Sequence, residues 1–280
     1  MSVSKKYSNV ADASRIYLLP NIFTATNLFC GFLSIIRCIQ ARYATVDAAT
    51  AHRFYQQAVW LIFFAGLADM LDGRVARLKK KESLFGLEFD SISDMVSFGV
   101  APALMVFLRI LSPCDEYLFF RQLGWMIGFI YLLCAGVRLA RFNVITSPLL
   151  PREETIPSYD FLGLPVPAAA GVIASFVLIV DSYDLHVFSI FLPFIMLLTA
   201  YLMVSAIRFP SFKKINWSTR TRLGTFVAII GVLATISWFH QFSCAIVFLS
   251  YVVHGLVRHV RQEKRSRKIA IERPESSVNL

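Results

Sequence analysis

Charge is what this 280-residue chain has least of: Asp, Glu, Lys and Arg make up 16% of it, against 56% hydrophobic residues. Soluble domains carry about 25% charged residues, so the balance excludes an ordinary water-soluble enzyme and fits a polytopic membrane protein. Cysteine is sparse too. Cys30, Cys38, Cys114, Cys134 and Cys244 show neither C-x-x-C nor any other ligand spacing, which argues against a zinc module or disulfide scaffold and leaves apolar packing. The five histidines, His52, His186, His240, His254 and His259, fall mainly at expected membrane boundaries. They are assigned no chemistry. There is no internal repeat and no separate soluble domain. The polar opening, Met1 to Arg15, leads into a segment too long and too poorly punctuated for a cleaved signal peptide.

Long apolar runs are abundant. Spans of about 20 residues are expected near 17–39, 55–77, 89–110, 122–142, 164–181, 186–207, 222–239 and 241–258, giving an all-α membrane protein of about eight transmembrane helices. Three segments follow: a cytoplasmic stretch 1–16, a transmembrane catalytic domain 17–258 and a basic tail 259–280. Lys and Arg alternate strongly between loops. One side receives Lys5, Lys6 and Arg15, then Arg74 to Lys81, Arg138 to Arg152, Arg208 to Arg222 and the tail from Arg258, while the other has Arg42, Arg53, Arg109 and Arg121. The positive-inside rule puts both termini in the cytoplasm. On this reading the net charge of +10 reflects topology and contact with anionic lipid, not nucleic acid. A bacterial or archaeal cytoplasmic membrane is the expected location.

Against this apolar background stand four aspartates, Asp69, Asp72, Asp90 and Asp94, at the junction of two spans. Carboxylates in such places are costly unless they bind cations or partners. Asp69, Asp72 and Ala76 fall three and four residues apart, on one helical face, and Asp90 and Asp94 share a face of the next helix. Two helix ends facing each other would converge the carboxylates, and hard divalent cations with oxygen ligands relieve their mutual repulsion. Two Mg²⁺ or Mn²⁺ ions fit the count. Gly73, Ala76 and Gly86 leave room for a ligand to approach, and Arg77 with Lys79 to Lys81 adds positive charge. Metals, small residues and cations together suggest a nucleotide that contains a pyrophosphate.

The pattern D-x2-D-G-x2-A-R-x8-G-x3-D-x3-D, carried by Asp69, Asp72, Gly73, Ala76, Arg77, Gly86, Asp90 and Asp94, resembles the signature of the CDP-alcohol phosphatidyltransferases. All eight fixed positions match. The resemblance implies that these four aspartates hold the metals, that Asp94 is the general base, and that Gly73, Ala76, Arg77 and Gly86 cradle the CMP portion of CDP-diacylglycerol. It also implies a homodimer. Physical reasoning alone does not choose the base among the four carboxylates.

Softer patterns bear on the acceptor. The opening Leu18-Leu19-Pro20-Asn21-Ile22-Phe23-Thr24-Ala25-Thr26-Asn27 places Thr24, Asn27 and Gly31 near one helical face, read either as a helix-packing stripe or as part of a site. Its resemblance to the family's first helix puts Asn27 at the rim of the nucleotide pocket. Arg138 and Arg141, with Asn143 close by, offer snorkelling cations or an anion site for a phosphate or an acceptor carboxylate. The stretch from Gly163 through Pro165, Pro167 and Ala170 to Gly171 should allow close helix approach. These stretches are similar to the phosphatidylserine synthase branch, which implies L-serine as acceptor; glycerol 3-phosphate, inositol phosphate and choline remain open. A cation transporter is the rival class, but it predicts carboxylates near mid-membrane, whereas these lie toward one face. The last three spans read as scaffold.

Overall fold

A computed structural model describes residues 18–43, 48–79, 84–111, 118–146, 160–183, 186–210 and 240–272. In chain order α1 spans Leu18–Tyr43, α2 Ala48–Lys79 and α4 Leu118–Thr146. Between α2 and α4 lies α3, which opens as α-helix over Leu84–Asp94 and continues through π-helical Met95–Val100, α-helical Ala101–Val106 and π-helical Phe107–Leu111. Then come β1 (Asp160–Leu162), α5 (Val166–Ser182), a 3-10 turn (His186–Phe191), α6 (Leu192–Val204), β2 (Arg208–Pro210) and α7 (His240–Glu272). Among the described residues, six helical segments are long and apolar enough to cross a membrane: Asn21–Tyr43, Ala49–Gly73, Phe85–Leu111, Gly124–Ile145, Val187–Val204 and Phe242–Arg261. Seven of the expected spans thus have a helix, and the one expected near 222–239 lies outside the described residues. Helix α7 runs on through much of the basic tail rather than stopping near residue 258.

The seventh helix is α5, which at 17 residues is about 25 Å long and falls short of a hydrocarbon core about 30 Å thick. Most of its residues are buried, as a helix that is apolar all round should be. Its small residues make that possible. A Cβ on Gly171 would come within 2.3 Å of the Phe248 ring on α7, so the expected close approach is present there. Before α5 the chain turns at Gly163, whose φ of 79° suits glycine. A short antiparallel ladder pairs Phe161 with Phe209 and ties β1 to β2.

Helix α1 packs against both α2 and α3, and polar contacts fix these helices where lipid supplies no hydrophobic drive. Ser34 Oγ donates to Ala58 O on α2 at 2.9 Å. Ser93 and Ser97 of α3 donate to Thr24 O at 3.0 Å and Asn27 O at 2.8 Å. Within the π-helical stretch, Ala101 N–H reaches back to Val96 O, and Tyr131 of α4 donates to Phe98 O at 3.0 Å.

The approach of α1 to α3 depends on Gly31, where a Cβ would lie 2.6 Å from Ser97 Cα. Backbone cannot yield as a flexible side chain can. Gly31→Ala should therefore lower thermal stability in detergent by about 1–3 kcal/mol, the usual range for overpacking. Gly66→Ala, where a Cβ meets nothing nearer than the Phe98 ring at 3.9 Å, should change it little. Equal effects in the two variants would show that α1 and α3 can separate freely.

Candidate active site

Each pair of aspartates reaches the site from one helix. Asp69 and Asp72 lie near the C-terminal end of α2, and Asp90 and Asp94 lie one turn apart on α3. One carboxylate oxygen from each of Asp69, Asp90 and Asp94 falls within 4.8 Å of the others. Asp94 and Asp72 are buried, while Asp69 and Asp90 are half-buried. Thus three of the four aspartates converge directly. Asp72 instead takes a hydrogen bond from the Thr24 hydroxyl.

Helix α1 supplies a donor to each pair. Thr24 serves Asp72, and one turn along Asn27 Nδ2 donates to Asp94 Oδ1 at 3.0 Å. Asn27 is fully buried, and its bond to Asp94 joins it to the cluster. Along the stripe of Thr24, Asn27 and Gly31, the first two residues donate to carboxylates and the third admits α3.

Asp90 Oδ1 and Asn27 Oδ1 are buried without a hydrogen-bond partner among the described residues. Buried polar atoms rarely stay unpaired, so each orphan calls for an explanation such as a ligand or ion. An all-oxygen set on facing helices is the donor chemistry of Mg²⁺ and Mn²⁺. The residues present therefore fit a divalent cation, which Asp69, Asp90 and Asp94 could hold with Asp72 adjacent.

The basic residues divide. Arg138 is buried, its guanidinium 5.4 Å from the Phe142 ring centroid and within electrostatic reach of Asp94 and Asp69. Arg141 is exposed. Three residues advance a helix by about 300°, and the remaining 60° is enough to separate a buried edge from a surface one. Asn143 Nδ2 donates to Ser91 Oγ at 2.8 Å, joining the end of α4 to α3 next to Asp90. Gly73 is exposed and Gly86 half-buried near the facing ends of α2 and α3, and Ala76 and Arg77 occupy the last turns of α2.

Tyr251 of α7 lies within electrostatic reach of Arg138, and its ring stands 6.0 Å from that of Phe209 on β2. Reading the last spans as scaffold missed it. One tyrosine in an apolar helix carries no local signal, and only the approach of α7 could reveal it.

A family model described as CDP-alcohol phosphatidyltransferase matches residues 17–204. The chain belongs to the CDP-alcohol phosphatidyltransferase family. It is 35% identical over 249 residues to the CDP-diacylglycerol--serine O-phosphatidyltransferase of Helicobacter pylori (strain J99), covering 88% of this chain and 92% of that one. The archaetidylserine synthase of Methanothermobacter thermautotrophicus is 33% identical over 203 residues, 72% of this chain and 73% of its own. A yeast CDP-diacylglycerol--serine O-phosphatidyltransferase is 36% identical over 155 residues, 55% of this chain and 51% of its own. The protein is accordingly a membrane phosphotransferase of this family. The matched segment contains the whole aspartate cluster and both of its α1 donors, whereas Tyr251 lies beyond it.

Replacing Asn27 by Leu, which keeps the volume but removes the donor to Asp94, should weaken Mn²⁺ binding by about 10–100-fold, as loss of a hydrogen bond to a metal ligand does. Titration calorimetry on the detergent-solubilised protein reads the change directly. Ser34→Ala removes a hydrogen bond on the same helix away from the cluster and should cost only about 1 kcal/mol of stability. Unchanged Mn²⁺ affinity in Asn27→Leu would remove Asn27 from the site.

Proposed function

We propose that this protein transfers the phosphatidyl group of CDP-diacylglycerol to L-serine, yielding phosphatidylserine and CMP. The convergence of Asp69, Asp90 and Asp94 on facing helix ends carries the chemistry, and the activity named for the relatives that span most of the chain supports serine as acceptor. Asp69, Asp72, Asp90 and Asp94 would hold two Mg²⁺ or Mn²⁺ ions, which when bound neutralise the diphosphate and the charge developing on CMP.

The chain's own residues do the rest. Asp94 takes the proton of the serine hydroxyl as that oxygen attacks the phosphatidyl phosphorus and the bond to the CMP oxygen breaks. Asn27 keeps the Asp94 carboxylate turned toward the cluster. Gly73, Ala76, Arg77 and Gly86 receive the CMP portion, since small residues leave room for a ligand and a guanidinium suits phosphate. Arg138, buried beside Asp94, faces the serine carboxylate, since guanidinium matches its planar geometry. Arg141 and Asn143 lie at the margin of this acceptor side. The Lys and Arg distribution supports cytoplasmic termini and a site opening to the cytoplasm of a bacterial or archaeal cell. A homodimer in that membrane completes the reading.

Purified protein in detergent with CDP-diacylglycerol and Mn²⁺ should release CMP on addition of L-serine, but not of glycerol 3-phosphate, inositol phosphate or choline. Release with one of those alcohols instead would keep the aspartate chemistry and discard serine. Asp94→Asn should lower turnover by about 10²–10⁴-fold, the usual contribution of a general base, while CMP binding measured by calorimetry persists. Near-normal turnover in that variant would move the base elsewhere.

A further inference from the structure

The bundle holds a second buried polar cluster, at the end away from the aspartates. Asp181, in the last turn of α5, has a side chain only 1% exposed. Its Oδ1 receives Arg109 Nη1 at 2.9 Å and contacts His52 Nδ1 at 2.7 Å. The Arg109 guanidinium also lies 4.9 Å from the Tyr55 ring centroid. His52 and Tyr55 belong to the opening turns of α2, and Arg109 to the final π-helical turn of α3. One carboxylate oxygen therefore ties together the far ends of the two helices that carry the acidic site. At about 1.5 Å per residue, the tie lies about 25 Å from Asp69 along α2 and about 22 Å from Asp94 along α3.

Cohesion alone explains this cluster poorly. Desolvating a buried ion pair can cost as much as the pair returns. Here Arg109 Nε and Nη2, Asp181 Oδ2 and Ser182 Oγ are also buried without hydrogen-bond partners among the described residues. An incompletely satisfied polar network is a poor adhesive. The best-attested use of such groups is to fix register. Register is also what this fold needs, because apolar helices in lipid have no hydrophobic effect to align them along their axes.

The arithmetic is direct. The three ligand oxygens lie within 4.8 Å of one another, and a slip of one helical turn, about 5.4 Å, exceeds that separation. Helix α3 is also π-helical over Met95–Val100, between Asp94 and Arg109, and again over Phe107–Leu111, where Arg109 itself sits, and such stretches depart from the α-helical winding that would otherwise fix one residue relative to the other. A helix wound this way gains from an anchor beyond its first π-helical stretch. We propose that Asp181 is a positioning residue: by holding His52 of α2 and Arg109 of α3 on one oxygen, it fixes the axial register at which Asp69 meets Asp90 and Asp94. Its consequence for metal binding rests on reading these aspartates as the cation site.

The test uses the full-length protein in detergent, with the tie replaced by apolar residues in the triple variant His52→Leu, Arg109→Met, Asp181→Leu. Apolar replacement of a buried ion cluster is often neutral for stability or better, so the thermal midpoint without metal should hold. Two further readouts should move. Mn²⁺ affinity should fall by about 10–100-fold, the range seen when support for metal ligands is lost. The distance between spin labels at Leu67 and Ile92, both exposed, should shift or broaden by about one helical turn in a cysteine-substituted background.

An unchanged label distance in the folded triple variant overturns the inference whatever the metal does. If the wild type binds no Mn²⁺ but the label distance moves, register control stands and the cation reading fails. If the triple variant does not fold, the reciprocal exchange Arg109→Asp with Asp181→Arg decides. Recovery of the wild-type label distance relative to either single reversal supports the tie, and no recovery overturns it.

Discussion

A polar atom inside an apolar bundle must find its partner within the protein, and this requirement shapes both ends of the molecule. Water is absent from the hydrocarbon core, and lipid tails offer neither donors nor acceptors. At the acidic end α1 answers the requirement with two side chains, Thr24 for Asp72 and Asn27 for Asp94. Serines on α3 in turn find acceptors in the α1 backbone. The same contacts that satisfy the carboxylates and hydroxyls also bring α1, α2 and α3 into one unit.

The chemistry needs that unit because it brings like charges together. Three carboxylate oxygens within 4.8 Å repel one another when charged, so the helices must oppose that repulsion. Arg138, buried on α4 within reach of Asp94 and Asp69, supplies a permanent countercharge. It also brings a third side of the cluster under the influence of Tyr251 and the short β1–β2 ladder, through the Phe209 ring. A lipid donor suits such a place, since its diphosphate can sit among charges while its acyl chains remain in hydrocarbon.

The distal cluster of His52, Arg109 and Asp181 follows the same logic with the opposite emphasis. Several of its polar atoms stay unpaired among the described residues. What it offers is a common reference point for α2 and α3. Helix ends that must meet within a few ångströms are better controlled by ties at both ends than at one.

Much of this was legible in the residues. Hydropathy located the helices because burial in lipid is decided locally, over windows of about 20 residues. Spacings of three and four placed Asp90 with Asp94, and Thr24 with Asn27, because helical geometry is periodic. The eight-position aspartate pattern pointed to the family for the same local reason. Other features could not be read this way. Arg138 and Arg141 look equivalent in sequence and differ in burial, and α5 is a central buried helix too short to show its place by length. Which donor serves which aspartate, the meeting of Tyr251 with Arg138, and the pairing of Asp181 with His52 across 129 residues were decided by tertiary structure alone. The reason is physical: periodicity fixes which face of its own helix a side chain occupies, but only packing decides what that face meets.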